Sequence, residues 1–235
     1  MLKKSDKKRA PNRTGKKAAS SANGSHRAGN SAAAGKKSGT RTPTGAKGKP
    51  SAKVALISSK LVYRGPLFDV YTDHVREPEG IVSQRDVVRH SGSVVILAVD
   101  ASRNANDPLI VIERQYRHAA GQYMWEIPAG RKEPEEATLA GAKRELLEET
   151  GYRAKRWEKI ARFYPSPGFL GEWMQVYLAE GLTSGESKPD EDEYIEHRLI
   201  PLSEALAWID SGKIVDGKSL VAILQYERRR STLKR

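Results

Sequence analysis

Cysteine is absent from the 235 residues. That excludes disulfides, cysteine-ligated zinc and thiol nucleophiles, and it permits a reducing cytoplasm, which is the expected location. No run of about 18 apolar residues occurs, so no membrane-spanning helix is expected. Large apolar residues are missing between Leu2 and Val54. A stretch without them cannot bury enough surface to offset the entropy of ordering, so disorder is expected there. It also lacks the apolar core of a secretory signal and the apolar stripe of a targeting helix. Acidic residues are scarce in the same place: Asp6 is the only one among residues 1–53.

What these residues do have is positive charge. They hold 15 of the 41 Lys and Arg, a net of +14, which leaves 26 basic against 28 acidic residues in the remainder. The basic character of the whole chain therefore belongs to a tail, residues 1–53, suited to weak contact with polyanions such as nucleic acid. Residues 54–235 are close to neutral and read as one folded domain, with a first part at 54–91 and a core at 92–235.

From Val54 on, the texture is that of short strands. Lys60–Arg64, Phe68–His74 and Gln84–His90 alternate partly and are split by Gly65-Pro66 and by Glu77–Gly80, as in an antiparallel β meander. Ser93–Val99 and Leu109–Glu113 are continuous apolar runs, expected of strands buried on both faces. Tyr123–Ile127, Trp157–Tyr164, Glu172–Ala179 and Glu196–Ile200 complete the strand set. Helices are expected from Pro134 to Thr150, from Ser203 (as N-cap) to Asp210, and from Ser219 to Arg230 with Leu220, Ile223 and Leu224 on one face. Strands, helix, strands and helices in that order indicate an α/β (α+β) sandwich with a mixed sheet between helices.

The chemistry is concentrated between Gly130 and Tyr152. Glu145, Glu148 and Glu149 are three and four apart, so on a helix they share one face. Like charges at that spacing repel, and a cluster of hard oxygens is best offset by Mg²⁺ or Mn²⁺. A charge run is ordinarily just a solvated helix face, but here the spacing fixes many positions. Gly130 is followed after five residues by Glu136, and after seven more by Arg144-Glu145-Leu146-Leu147-Glu148-Glu149-Thr150-Gly151-Tyr152.

This pattern resembles the box of the Nudix hydrolases, which cleave nucleoside diphosphates linked to another moiety. The resemblance implies an α/β/α sandwich over about residues 55–230. It implies metal binding by Glu145, Glu149 and the carbonyl of Ala129, with Glu148 as a further ligand or a partner of the ligands in catalysis. Glu136, placed opposite Glu145 on a continuous helix, is expected to brace the loop instead.

Four features outside the box resemble the ADP-ribose pyrophosphatase subfamily. They are Glu113–Arg117 with Trp125–Gly130, Pro167 in Ser166-Pro167-Gly168, the acidic loop Asp190–Glu193, and the N-terminal meander, which that subfamily uses in a homodimer. The resemblance implies Mg²⁺-dependent hydrolysis of ADP-ribose to AMP and ribose 5-phosphate, with GDP-mannose or ADP-glucose as alternative nucleotide-sugar substrates. Arg117 would hold the substrate, and Arg85 would reach the neighbouring site across the dimer. Glu126 and Glu172 are further substrate-side candidates, and Trp125 and Phe169 are candidate pocket walls. Glu193 or Glu191 would be the general base. His74, His90, His118 and His197 are weaker candidates, because a lone histidine is more often structural. Two other readings are a non-catalytic nucleotide-binding module tethered to nucleic acid by the tail, and an RNA-directed enzyme. The first ordinarily lacks a metal glutamate, and none is missing here. The near-neutral body speaks against the second.

Overall fold

The computed structural model describes residues 53–185 and 194–233. The tail and the Glu191 and Glu193 candidates lie outside the described residues. Among the described residues there are two sheets. The first is a meander of β1 (Ala55–Arg64), β2 (Asp69–Arg76) and β3 (Val82–Arg89), paired antiparallel in that order. Pro78–Gly80 turns the chain between β2 and β3. Every residue of β1 is exposed, including Leu56, Ile57, Val62 and Tyr63.

The second sheet has seven strands. β4 (Ser93–Asp100), β5 (Leu109–Arg117), β8 (Arg153–Phe163), β9 (Met174–Thr183) and β10 (Ile195–Pro201) run in the order β10-β5-β4-β9-β8. β6 (Gln122–Glu126) pairs with β5, and β7 (Ala129–Arg131) pairs with β4. β4 and β9 are parallel while the other pairs are antiparallel, so the sheet is mixed.

Three helices cover it: α1 (Thr138–Thr150), α2 (Leu202–Asp210) and α3 (Gly217–Leu233). The central strand β4 shows why the chain makes layers. Its side chains alternate across the pleat, so Val95, Leu97 and Val99 pack with Leu202, Ala205, Trp208, Ala222, Ile223 and Tyr226 of α2 and α3. Val94, Ile96 and Ala98 pack on the other face with Ala142 and Leu146 of α1. The apolar run of β4 is thus buried on both faces, and the expected α/β/α sandwich with an added meander is the observed fold.

Three local expectations need correction. The box helix begins at Thr138, not Pro134, because Glu135 sits at φ 58°, in the left-handed region that breaks a helix. Glu136 is therefore in a loop, which it braces as expected: its carboxylate accepts the Glu133 N–H and pairs with Arg144. Ser203 is not the N-cap of α2; Pro201 holds that position. The cap comes from a distant loop, where Asp107 accepts the Ser203 N–H at 2.9 Å and the Ser203 hydroxyl at 2.7 Å. Those bonds hold the Asp107 carboxyl below its ordinary range. On α3, Leu224 is exposed; Ala222, Ile223 and Tyr226 form the buried face instead.

Candidate active site

The helical period places Glu145, Glu148 and Glu149 on one side of α1, and Leu146 and Ala142, both fully buried, fix that side relative to the sheet. The helix stops at Gly151, whose φ of 71° suits a glycine and whose N–H reaches the Leu147 carbonyl at 2.8 Å. Facing α1 is the short strand β7. The Ala129 N–H donates to Glu149 Oε2 at 3.2 Å. The Glu145 carboxylate lies so close to Gly130 that a Cβ there would fall 2.0 Å from its Cδ. Only a residue without a side chain leaves room for Glu145.

Repulsion among the glutamates is met in part by Arg144. Its guanidinium contacts Glu145 and Glu148 at 2.9 Å each and Glu136 at 3.2 Å. Its hydrogen bond with Glu136 comes first among the effects that stabilise its charge. The same bond lowers the Glu136 carboxyl from its usual range.

A second group of carboxylates lies beneath. Glu113 and Glu126 are cross-strand partners on β5 and β6, and both are buried. Burial, and then the Glu126 charge beside it, push the Glu113 carboxyl up to about 8. Glu113 hydrogen-bonds Glu149, yet its Oε2 has no partner, the one buried side-chain polar atom so placed among the described residues. Glu126 sits between two cations: Arg117 binds it in a fork at 2.7 and 2.9 Å, and the Lys218 ammonium contacts it from α3.

Above these groups lies a cleft of about 330 Å³, bordered by Ser93, Arg117, Ala129, Gly130, Arg131, Glu172, Met174 and Lys218. Of the residues singled out from the sequence, it brings together Arg117, Ala129 and Glu172. Glu172 is held by the Ser93 hydroxyl and lies 3.6 Å from His90 Nδ1. Glu126 faces the interior, with 2% of its surface exposed, and reaches the cleft only through Arg117 and Lys218. Arg85 is elsewhere, exposed on β3 and paired with Glu77 at 2.9 Å. Phe169 is exposed, and Trp125 packs on Trp208 at 5.2 Å with Arg198 over its ring.

Lys218, Ser93 and Arg131 were not anticipated. The signal for Lys218 was an Asp216-Gly-Lys-Ser219 run at the head of an otherwise apolar helix start.

Among the described residues no three Asp, Glu or His side chains converge as a closed metal cage. The donor set nonetheless suits a hard divalent cation. Two glutamates meet one stretch of backbone at Ala129–Gly130, and a carboxyl oxygen beside them is buried without a partner.

Comparison with known proteins agrees with this geometry. The chain is 38% identical over 180 residues to an ADP-ribose pyrophosphatase of Bacillus subtilis (strain 168), covering 76% of this chain and 94% of that one. It is 36% identical over 180 residues, with the same coverage, to a methanol dehydrogenase activator of Bacillus methanolicus. A crystal structure of an ADP compounds hydrolase superimposes with a TM-score of 0.68 at 18% identity, over 79% of this chain and 98% of that one, a likeness of fold. The family model for the NUDIX domain matches residues 89–219, from the end of the meander to the first turn of α3. That span takes in every residue bordering the cleft and more than half of the chain, and the chain belongs to the Nudix family.

Proposed function

We propose that this chain hydrolyses the pyrophosphate of ADP-ribose to AMP and ribose 5-phosphate with the help of a divalent cation, Mg²⁺ or Mn²⁺. The observation that carries this reading is the cleft itself. It sets the Arg117 guanidinium beside the Ala129–Gly130 backbone on which Glu145 and Glu149 rest. Glu145, Glu149 and the Ala129 carbonyl would hold the cation, with Glu148 beside them. Bound there, it would neutralise pyrophosphate oxygens and make a water more acidic.

The chain's own groups supply the rest. Two of the five N–H donors of Arg117 are used on Glu126, which leaves the others for a phosphate oxygen. Glu172, fixed by Ser93, closes the other side. Glu193 or Glu191 would take the water's proton. Incubating the purified chain and Mg²⁺ with ADP-ribose, ADP-glucose and GDP-mannose tests the assignment. AMP and ribose 5-phosphate should appear fastest from ADP-ribose. Faster GMP release from GDP-mannose would overturn it.

The meander suggests how the chain assembles. Its outer strand β1 has an unpaired edge and exposes Leu56, Ile57, Val62 and Tyr63. Such an edge invites pairing with another chain. A two-fold homodimer through this sheet would cover it and bring Arg85 towards the neighbouring cleft. Light scattering at micromolar concentration should return twice the monomer mass; a monomer that is fully active on ADP-ribose refutes the arrangement.

We place the chain in the cytoplasm. Among the described residues no helix is long and apolar enough to cross a membrane. Residues 1–53 are, on this reading, a separable extension that contacts nucleic acid weakly through charge. A chain starting at Lys53 should keep its kcat/KM for ADP-ribose and lose any low-salt binding to DNA. Loss of hydrolysis in a normally folded tailless chain would show that the tail belongs to the site.

A further inference from the structure

We propose that Lys218 is a positioning residue: acting through Glu126, it sets where the Arg117 guanidinium stands in the cleft and so tunes affinity for the pyrophosphate. This rests on the reading of the cleft as the nucleotide site.

The geometry is a three-member chain of charges. Glu126 is 2% exposed and cannot turn to water. Its Oε1 accepts Arg117 Nε at 2.7 Å, and its Oε2 accepts both Arg117 Nη2, at 2.9 Å, and the Lys218 ammonium. Lys218 is itself buried and is held from behind by Asp216 Oδ2 at 3.1 Å. Arg117 is the exposed end, with 39% of its side chain open.

The base of Lys218 is fixed as firmly as its tip. Next in the chain, Ser219 accepts the Ile127 N–H at 2.9 Å through its hydroxyl and donates that hydroxyl to Asp216 at 2.6 Å. The first turn of α3 is thereby stitched to the segment between β6 and β7, immediately before Ala129. Two cations share one carboxylate, each limiting how far the other can approach it. With Lys218 removed, the full charge of Glu126 acts on Arg117 alone and draws the guanidinium inward, away from a phosphate. Arg117 then meets ground state and transition state with the same loss, which raises KM more than it lowers kcat.

The full-length chain tests this in a double-mutant cycle of Lys218→Met and Arg117→Met with ADP-ribose and Mg²⁺. Lys218→Met should raise KM about tenfold, the worth of one charge-assisted hydrogen bond. It should lower kcat by less than about threefold. In the Arg117→Met background the same change should add under about twofold, because its route is gone. Lys218→Arg, which restores the charge, should return KM to near the wild-type value. Where Lys218→Met is too unstable to assay, Lys218→Gln takes its place in the same cycle. Additive effects would overturn the proposal in favour of direct contact with substrate. An unchanged KM with a lowered Tm would overturn it in favour of a purely structural pair. A wild-type preference for another nucleotide sugar sinks the substrate assignment instead, and the cycle run on that sugar still decides the role of Lys218.

Discussion

Glu149→Gln will lower kcat by roughly 10³-fold if the proposed cation site is right, since a lost anionic ligand forfeits several kcal/mol of transition-state charge stabilisation and each 1.36 kcal/mol is a factor of ten. Folding should hardly notice. The glutamine keeps an amide oxygen where Glu149 Oε2 accepts the Ala129 N–H. It also relieves a buried negative charge set next to Glu113. The variant should therefore melt close to the wild type while turning over almost nothing, even in saturating Mg²⁺. Near-normal turnover under those conditions would remove Glu149 from the cation site. A large fall in Tm with it would show that the carboxylate is structural.

The largest effect on stability is expected from Glu126→Ala. Breaking a buried ion pair from one side costs roughly 3–5 kcal/mol, because the partner charge stays buried and uncompensated. Here two cations lose their carboxylate. Arg117 is partly open to water and Lys218 keeps Asp216, so the cost should lie near the lower figure. For a chain of this length that shift corresponds to a fall in Tm of about 10 °C. Differential scanning calorimetry reads it directly, and a Tm within about 2 °C of wild type would mean the network is not held together as described. Glu126→Gln should do less damage, since the amide oxygen still accepts from one cation.

What could be read in advance was what depends on neighbours in sequence. The box glutamates fall on one side of α1 because the helical period demands it, and Gly151 ends the helix because the left-handed turn demands a glycine. β4 was visible because both of its faces are buried, leaving no polar break in Val94–Val99. Strand ends were harder. β5 continues to Arg117, past the apolar run, because β6 folds back to pair with it.

Two of the misses share one cause, a partner far along the chain. Asp107 caps α2 from 96 positions away, which no local capping pattern announces. Lys218 meets Glu126 across 92 positions, and nothing in Asp216-Gly-Lys-Ser219 says where its ammonium will go. The start of α1 was misplaced for a different reason. Pro134 suits a first helical turn, but the Glu136 side chain is already engaged with Arg144 and the Glu133 N–H, which favours a loop there.

The parallel pairing at the centre of the sheet governs how the molecule comes into being. Ser93 of β4 aligns with Met174 of β9, and the register runs on to Val99 and Glu180. At ribosomal rates of roughly 5–20 residues per second, β4 waits several seconds for this partner. Before then it can pair with β7 through Ser93–Val95 and with β5 only through Val99 and Asp100. Ile96 meets only the Pro128 carbonyl, at 2.8 Å, and among the described residues Leu97 and Ala98 have no earlier strand beside them. A nascent chain ending short of Thr183 thus carries its most apolar segment as an open edge, the kind of surface that chaperones bind and aggregates recruit. Helix α1 has been made by that time, but the sheet that seats its glutamates has not closed, so the chain's competence is decided late in synthesis.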